Sequence, residues 1–133
     1  PVNITVTDKY KIGVNIDVIE RKVKAGQSIS VFTELTKTKQ RGKDPDVEGK
    51  ITVNLLYKII KGKDLVTSLS TTMDVENSNE KTVSINIPIN STKGSYVVEV
   101  NATHLDITAN DNDNFQVTTN MVGNILNFFK NLK

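Results

Sequence analysis

The chain has 133 residues, a mass of 14.7 kDa and a formal net charge of +2, which is room for one domain and not comfortably for two. Val and Ile number 29 against three Ala, with 15 Thr and 15 Asn besides, a mixture that suits strands and turns and excludes a helical bundle, a coiled coil or a doubly wound α/β enzyme. The 17 basic and 15 acidic residues are scattered rather than gathered into a basic stripe, which excludes a nucleic-acid binder, and the absence of Cys excludes disulfides, zinc-thiolate sites and cysteine nucleophiles.

Period-2 alternation runs through most of the chain and predicts strands, since successive side chains of a strand point to opposite faces. Ile12, Val14, Ile16 and Val18 alternate with Gly13, Asn15 and Asp17. After a turn at Ala25-Gly26-Gln27, the residues Ile29, Val31, Thr33 and Leu35 share one face, with Phe32 and Glu34 on the other. Lys39 to Lys50 reads as a long polar connection containing Gly42, Pro45 and Gly49. Ile51, Val53, Leu55, Tyr57 and Ile59 form the longest apolar face, and Lys61-Gly62-Lys63-Asp64 predicts a tight hairpin, because Gly takes the positive φ such turns require.

Leu65, Leu69, Met73 and Val75 share the next parity, followed by a polar, Asn-rich stretch from Glu76 to Glu80. Val83, Ile85, Ile87 and Ile89 alternate with polar residues, and Pro88, having no N–H to donate, favours a sheet edge or a strand end there. Asn90 to Gly94 leads into Tyr96, Val98, Val100 and Ala102. Thr108 to Asn114 reads as an Asn/Asp loop, and Phe115 and Val117 close the series. Beyond them Met121, Val122, Ile125, Leu126, Phe129 and Leu132 recur at helical spacing. Thr118, Thr119 or Asn120 can cap the start, and Gly123 weakens the helix. A helix this short is marginal alone and needs a surface: its own sandwich, a following domain, or a membrane or partner met by Phe128, Phe129 and Leu132. The division expected is therefore a sandwich over 1–119 and an amphipathic helix or linker over 120–133.

Three segments carry a resemblance. Val23-Lys24-Ala25-Gly26-Gln27-Ser28-Ile29-Ser30-Val31 resembles the start of strand B in immunoglobulin-like domains, Gly94-Ser95-Tyr96-Val97-Val98-Glu99-Val100 resembles strand F, and Asp113-Asn114-Phe115-Gln116-Val117 resembles the closing strand G. Over residues 10 to 119 the chain thus resembles the fibronectin-III-like, CARDB-like and macroglobulin-type modules of archaeal and bacterial cell-surface proteins. The resemblance implies a spacer, adhesion or ligand-presenting module, which is an analogy of fold rather than of chemistry.

The chemistry-bearing candidates are few. Asn3-Ile4-Thr5, Asn90-Ser91-Thr92 and Asn101-Ala102-Thr103 are glycosylation sequons, making Asn3, Asn90 and Asn101 candidate acceptors in an exported chain. Asn110-Asp111-Asn112-Asp113-Asn114 resembles the Asn-Asp-Asn of cadherin linkers and has an oxygen density suited to calcium, with Asp111 and Asp113 as the ligands. It lacks the Gly and Glu of an EF-hand loop, and Asx-turns account for the same residues in an ordinary loop. His104 is the sole histidine and reads as a strand-end residue. With Asp106 it has no nucleophile elbow to complete a triad. Tyr96, near the start of its strand, is expected to bond back to the backbone at a sandwich corner. No Trp and three Tyr leave little for a sugar-stacking cleft.

The reading from sequence is an all-β, antiparallel immunoglobulin-like β-sandwich of seven to eight strands with a short C-terminal helix. Its expected role is non-catalytic: a spacer, adhesion or assembly element, extracellular or at the cell surface. Its partners would be other domains of the same chain or surface proteins, with no nucleic acid and no cofactor other than calcium. A membrane surface or partner could be met through the helix over 121–132. A chain that begins at Pro1 rather than Met is expected to be a processed product or an excised domain, and no apolar run of about 18 residues is present to span a bilayer. The alternative is an accessory ligand-binding domain of a larger secreted enzyme or receptor, binding through loops 39–50 and 108–114.

Overall fold

A computed structural model describes residues 10–39 and 49–118. Asn3, most of the 39–50 connection and the expected helix over 120–133 lie outside the described residues. Eight strands follow in order: β1 (Tyr10–Val18), β2 (Lys22–Val23), β3 (Ser28–Lys39), β4 (Ile51–Lys61), β5 (Asp64–Val75), β6 (Ser78–Asn86), β7 (Gly94–His104) and β8 (Ile107–Val117). They form a three-stranded sheet, β1-β3-β6, facing a five-stranded sheet, β2-β8-β7-β4-β5.

The inner faces carry the alternation read from the sequence. Ile12, Val14, Ile16 and Val18, with Ile29, Val31, Leu35, Val83 and Ile85, line the smaller sheet. Val53, Leu55, Tyr57, Ile59, Met73, Val75, Val98, Val100, Phe115 and Val117 line the larger one. Each such side chain taken fully from water contributes roughly 1.5–3 kcal/mol before the entropy of ordering is subtracted. One polar pair sits in this core. The hydroxyls of Thr33 on β3 and Tyr57 on β4 share a hydrogen bond of 2.6 Å across the two sheets, so neither polar group is stranded. Burial pushes the Tyr57 phenol above its ordinary pKa, and the bond to Thr33 partly offsets this.

Turns follow local chemistry. The Gln27 amide donates to the Lys24 carbonyl at 3.0 Å, and Gly26 takes φ +93°, as the third residue of a type II turn requires. Gly62, at φ +64°, opens the two-residue hairpin that joins Lys61 to Asp64. Tyr96 is buried and stacked on Phe115 at 5.7 Å, and its hydroxyl donates to the Thr92 carbonyl at 2.5 Å, the corner bond expected of it. Pro88 lies just past the end of the edge strand β6, where no ladder donor is needed.

Four expectations are corrected. The larger sheet is mixed, because β2 pairs parallel with β8. Thr108 to Asn114 is not a loop: it lies within β8, paired to β7 residue by residue, and the turn is Leu105-Asp106 instead. The polar stretch from Glu76 to Glu80 shrinks to Glu76-Asn77, the step between sheets, since β6 begins at Ser78. Leu65 does not share the inward parity of Met73 and Val75. The register shifts so that Ile59 pairs with Thr67 but Ile60 with Leu65, and this bulge at Val66 turns Leu65 outward.

Candidate functional site: the seam carrying Asp111 and Asp113

The residues singled out for calcium stand on the inward parity of β8, with Ile107, Ala109 and Phe115, while Thr108, Asn110, Asn112 and Asn114 face solvent. Beside them runs the outer edge of β1. In an antiparallel pair alternate amides point away from the partner strand, and those of Ile16 and Val18 point away from β3. No strand of its own sheet lies there to receive them. The Asp111 carboxylate accepts from the Ile16 amide at 2.8 Å, and the Asp113 carboxylate accepts from the Val18 amide at 2.9 Å. Two carboxylates at i and i+2 thus match two edge donors at i and i+2, replacing a backbone ladder by side chains.

The same register continues past the end of β1. The chain kinks at Ile19–Arg21 and joins the other sheet as β2, where the Gln116 amide donates to the Arg21 carbonyl and the Thr118 amide to the Val23 carbonyl, both at 2.8 Å. All four bonds join residues 95 positions apart. β1 and β2 are therefore one strip running parallel to β8, held first by carboxylates and then by backbone.

Side chains fix the kink from both sides. Glu20 accepts from the Ser30 amide at 2.6 Å and from its hydroxyl at 2.9 Å. The Ser30 amide bond is the main cause holding the Glu20 carboxyl below its ordinary pKa. Arg21 donates to Asp113 at 2.9 Å, to the Asn114 carbonyl at 2.9 Å and to Asp17 at 3.2 Å. Its own pKa is raised, first by the Asp113 hydrogen bond and then by that carboxylate's charge. For Asp113, partial burial pushes the pKa upward. The Arg21 guanidinium, the Val18 and Asn114 amides and the Arg21 charge together outweigh it, and the net direction is down.

Both carboxylates are thus engaged by the chain itself. Among the described residues no group of three or more His, Asp or Glu side chains is arranged to hold a metal ion. The bonds here are those of a latch. Sequence reasoning found Asp111 and Asp113 but missed Arg21 and Glu20, and the 95-residue separation of the partners leaves no local signal of them.

The other candidates fall elsewhere. Asn90 is exposed in the turn where the Ser91 amide donates to the Pro88 carbonyl. Asn101 is half-buried in β7, between Leu56 of β4 and Asn110 of β8, and with Asn54, Ser70, Thr72 and Thr103 it borders a shallow depression of about 440 Å³ on the outer face of the larger sheet. His104 ends β7 with Nδ1 at 2.9 Å from the Thr52 carbonyl and its ring 6.1 Å from that of Tyr10. No helix among the described residues is long and apolar enough to cross a membrane.

No protein-family model matches the chain, and no curated protein matches it. Solved structures do resemble it in shape. One is the sporulation control protein Spo0M of Bacillus subtilis, at 11% identity and a TM-score of 0.60, covering 95% of this chain and 56% of Spo0M. Another is a CARDB domain from Pyrococcus furiosus, in complex with di-metal ions, at 10% identity and a TM-score of 0.44, covering 86% of this chain and 97% of that domain. The chain thus spans little more than half of Spo0M, and at 11% identity the likeness to it is one of fold alone. The described residues form an all-β sandwich of eight strands in two sheets, one antiparallel and one mixed.

Proposed function

We propose that this chain is a non-catalytic module of an exported or surface-anchored protein, serving there as a spacer, adhesion or assembly element beside other modules or surface proteins. The observation that carries the reading is the use made of its polar side chains. Asp111, Asp113, Arg21 and Glu20 tie strand to strand, Tyr96 ties a corner, and His104 lies against the Thr52 carbonyl. Of the side chains marked out by sequence, Asp111, Asp113, His104 and Tyr96 are thus engaged within the fold. The sequons agree with an exported chain, and exposure makes Asn90, rather than the half-buried Asn101, the acceptor of choice.

Fractionation of cells making the full-length gene product tests the reading. Recovery in the envelope or medium is expected, and a product confined to the cytosol overturns it. For the glycan, the intact mass of native-source protein should fall on deglycosylation and the fall should be lost in Asn90→Gln. An unchanged mass removes the glycan from the proposal.

A further inference from the structure

The two ends of the described fold lie at opposite ends of one seam. Tyr10, where β1 begins, sits beside His104 at the Leu105-Asp106 hairpin, while Thr118, which follows β8, is bonded to Val23 at the far end. Between these points β1–β2 and β8 run parallel with a constant offset, joined by two carboxylate-to-amide bonds, two backbone bonds and the Arg21 bridge. Tension that enters at Tyr10 and leaves at Thr118 pulls these strips along their own axes in opposite directions. Every bond of the seam is then loaded at once, in shear. Tension applied to both strips at the hairpin end would instead open the same bonds one after another.

We propose that the module bears tension along its length and that the seam of β1–β2 with β8 is the element that resists it. The proposal rests on the spacer reading and gives it a mechanical content. The arrangement of the latch supports it. β1 has a full ladder to β3 on one side, and on the other its free amides meet charged acceptors where a neighbouring strand would otherwise be needed. Hydrogen bonds to ionised groups are about twice as strong as neutral ones. Asp113 is also braced by Arg21, which reaches Asp17 on the other strip, so the crosslink runs from β8 to the kink and back to β1.

Single-molecule pulling on the full chain tests this, and forced unfolding reads the unfolding barrier directly. The chain has no Cys, so introduced cysteines give unique handles. Lys11→Cys with Gln116→Cys loads the seam in shear, and Lys11→Cys with Asp106→Cys peels it. The shear pair should unfold at a clearly higher force than the peel pair. Asp113→Asn, and the more severe Asp111→Ala with Asp113→Ala, should lower the shear force. Val83→Ala, which destabilises the core on β6 away from the seam, should lower the melting temperature and leave the shear force nearly unchanged. Equal forces in the two directions would overturn the proposal. So would shear forces that merely follow each variant's thermal stability. Either result leaves the surface-module reading standing, since that reading fails only by the location of the gene product.

Discussion

At the scale of single residues, three side chains carry separable tests. Tyr57→Phe leaves the Thr33 hydroxyl with only the Val31 carbonyl, 3.5 Å away. A stranded buried hydroxyl costs about 1–3 kcal/mol, whereas replacing both partners by apolar groups is close to neutral. Thr33→Val with Tyr57→Phe should therefore recover most of the loss in urea titrations, and a double variant as unstable as the sum of the singles would refute the account. Leu105 holds φ +56° at a hairpin tip and is 84% exposed, so it bears backbone strain with little packing in return. A left-handed non-glycine residue costs roughly 1–2 kcal/mol, and Gly gives back about 0.5–1 in chain entropy. Leu105→Gly should raise the melting temperature modestly, and a fall would show that Leu105 has contacts of real value. For Asp113 the folded pKa is depressed. Its contribution is therefore present above the ordinary Asp value of about 3.9 and is lost as pH falls through the lower folded value. Asp113→Asn should cost about 1–2 kcal/mol at neutral pH, a figure already discounted for partial exposure, and the two stability curves should converge in acid.

At the scale of elements, the instructive case is β8. Over Thr108 to Asn114 its outward residues are Thr and Asn and two of its inward residues are Asp, so its hydrophobic alternation is lost there and the stretch reads as a loop. It is a strand because β7 supplies a ladder on one side and because the free amides of β1 make inward carboxylates acceptable. Tertiary context overrides local propensity here. β2 was hidden for a different reason, since two residues have no period to detect. The hairpin at Gly62, the turn at Gly26 and the corner at Tyr96 were legible, because each depends on one residue's own geometry. If the seam is a latch rather than a cation site, calcium has to displace two amides and a guanidinium to enter. Thermal melts in calcium and in chelator should coincide. A shift of several degrees, as ligand at about 100 times its dissociation constant would give, and its loss in Asp111→Ala with Asp113→Ala, would reinstate the metal.

At the scale of the whole molecule, the core and the two-sheet architecture followed from the repeated alternation, whereas the way the sheets are joined did not. Which strand crosses from one sheet to the other is decided by pairings between distant residues, and a single sequence holds no periodic trace of them. The same long-range pairing predicts slow, two-state refolding, in the millisecond-to-second range usual for β-sandwiches, by stopped-flow fluorescence of the tyrosines. Microsecond refolding would contradict the topology. The constant offset of 95 has one more consequence, for insertions and deletions. One residue added between Val18 and Lys22 would put the strip out of step with β8. If β1 kept its place against Asp111 and Asp113, Val23 would turn its side chain from the core to solvent. If β2 kept its place, the carboxylates would meet the wrong amides. Loops on such domains usually tolerate changes of length, but these three residues act as a reading frame, constrained in count by the offset and in sequence by the bonds of Glu20 and Arg21.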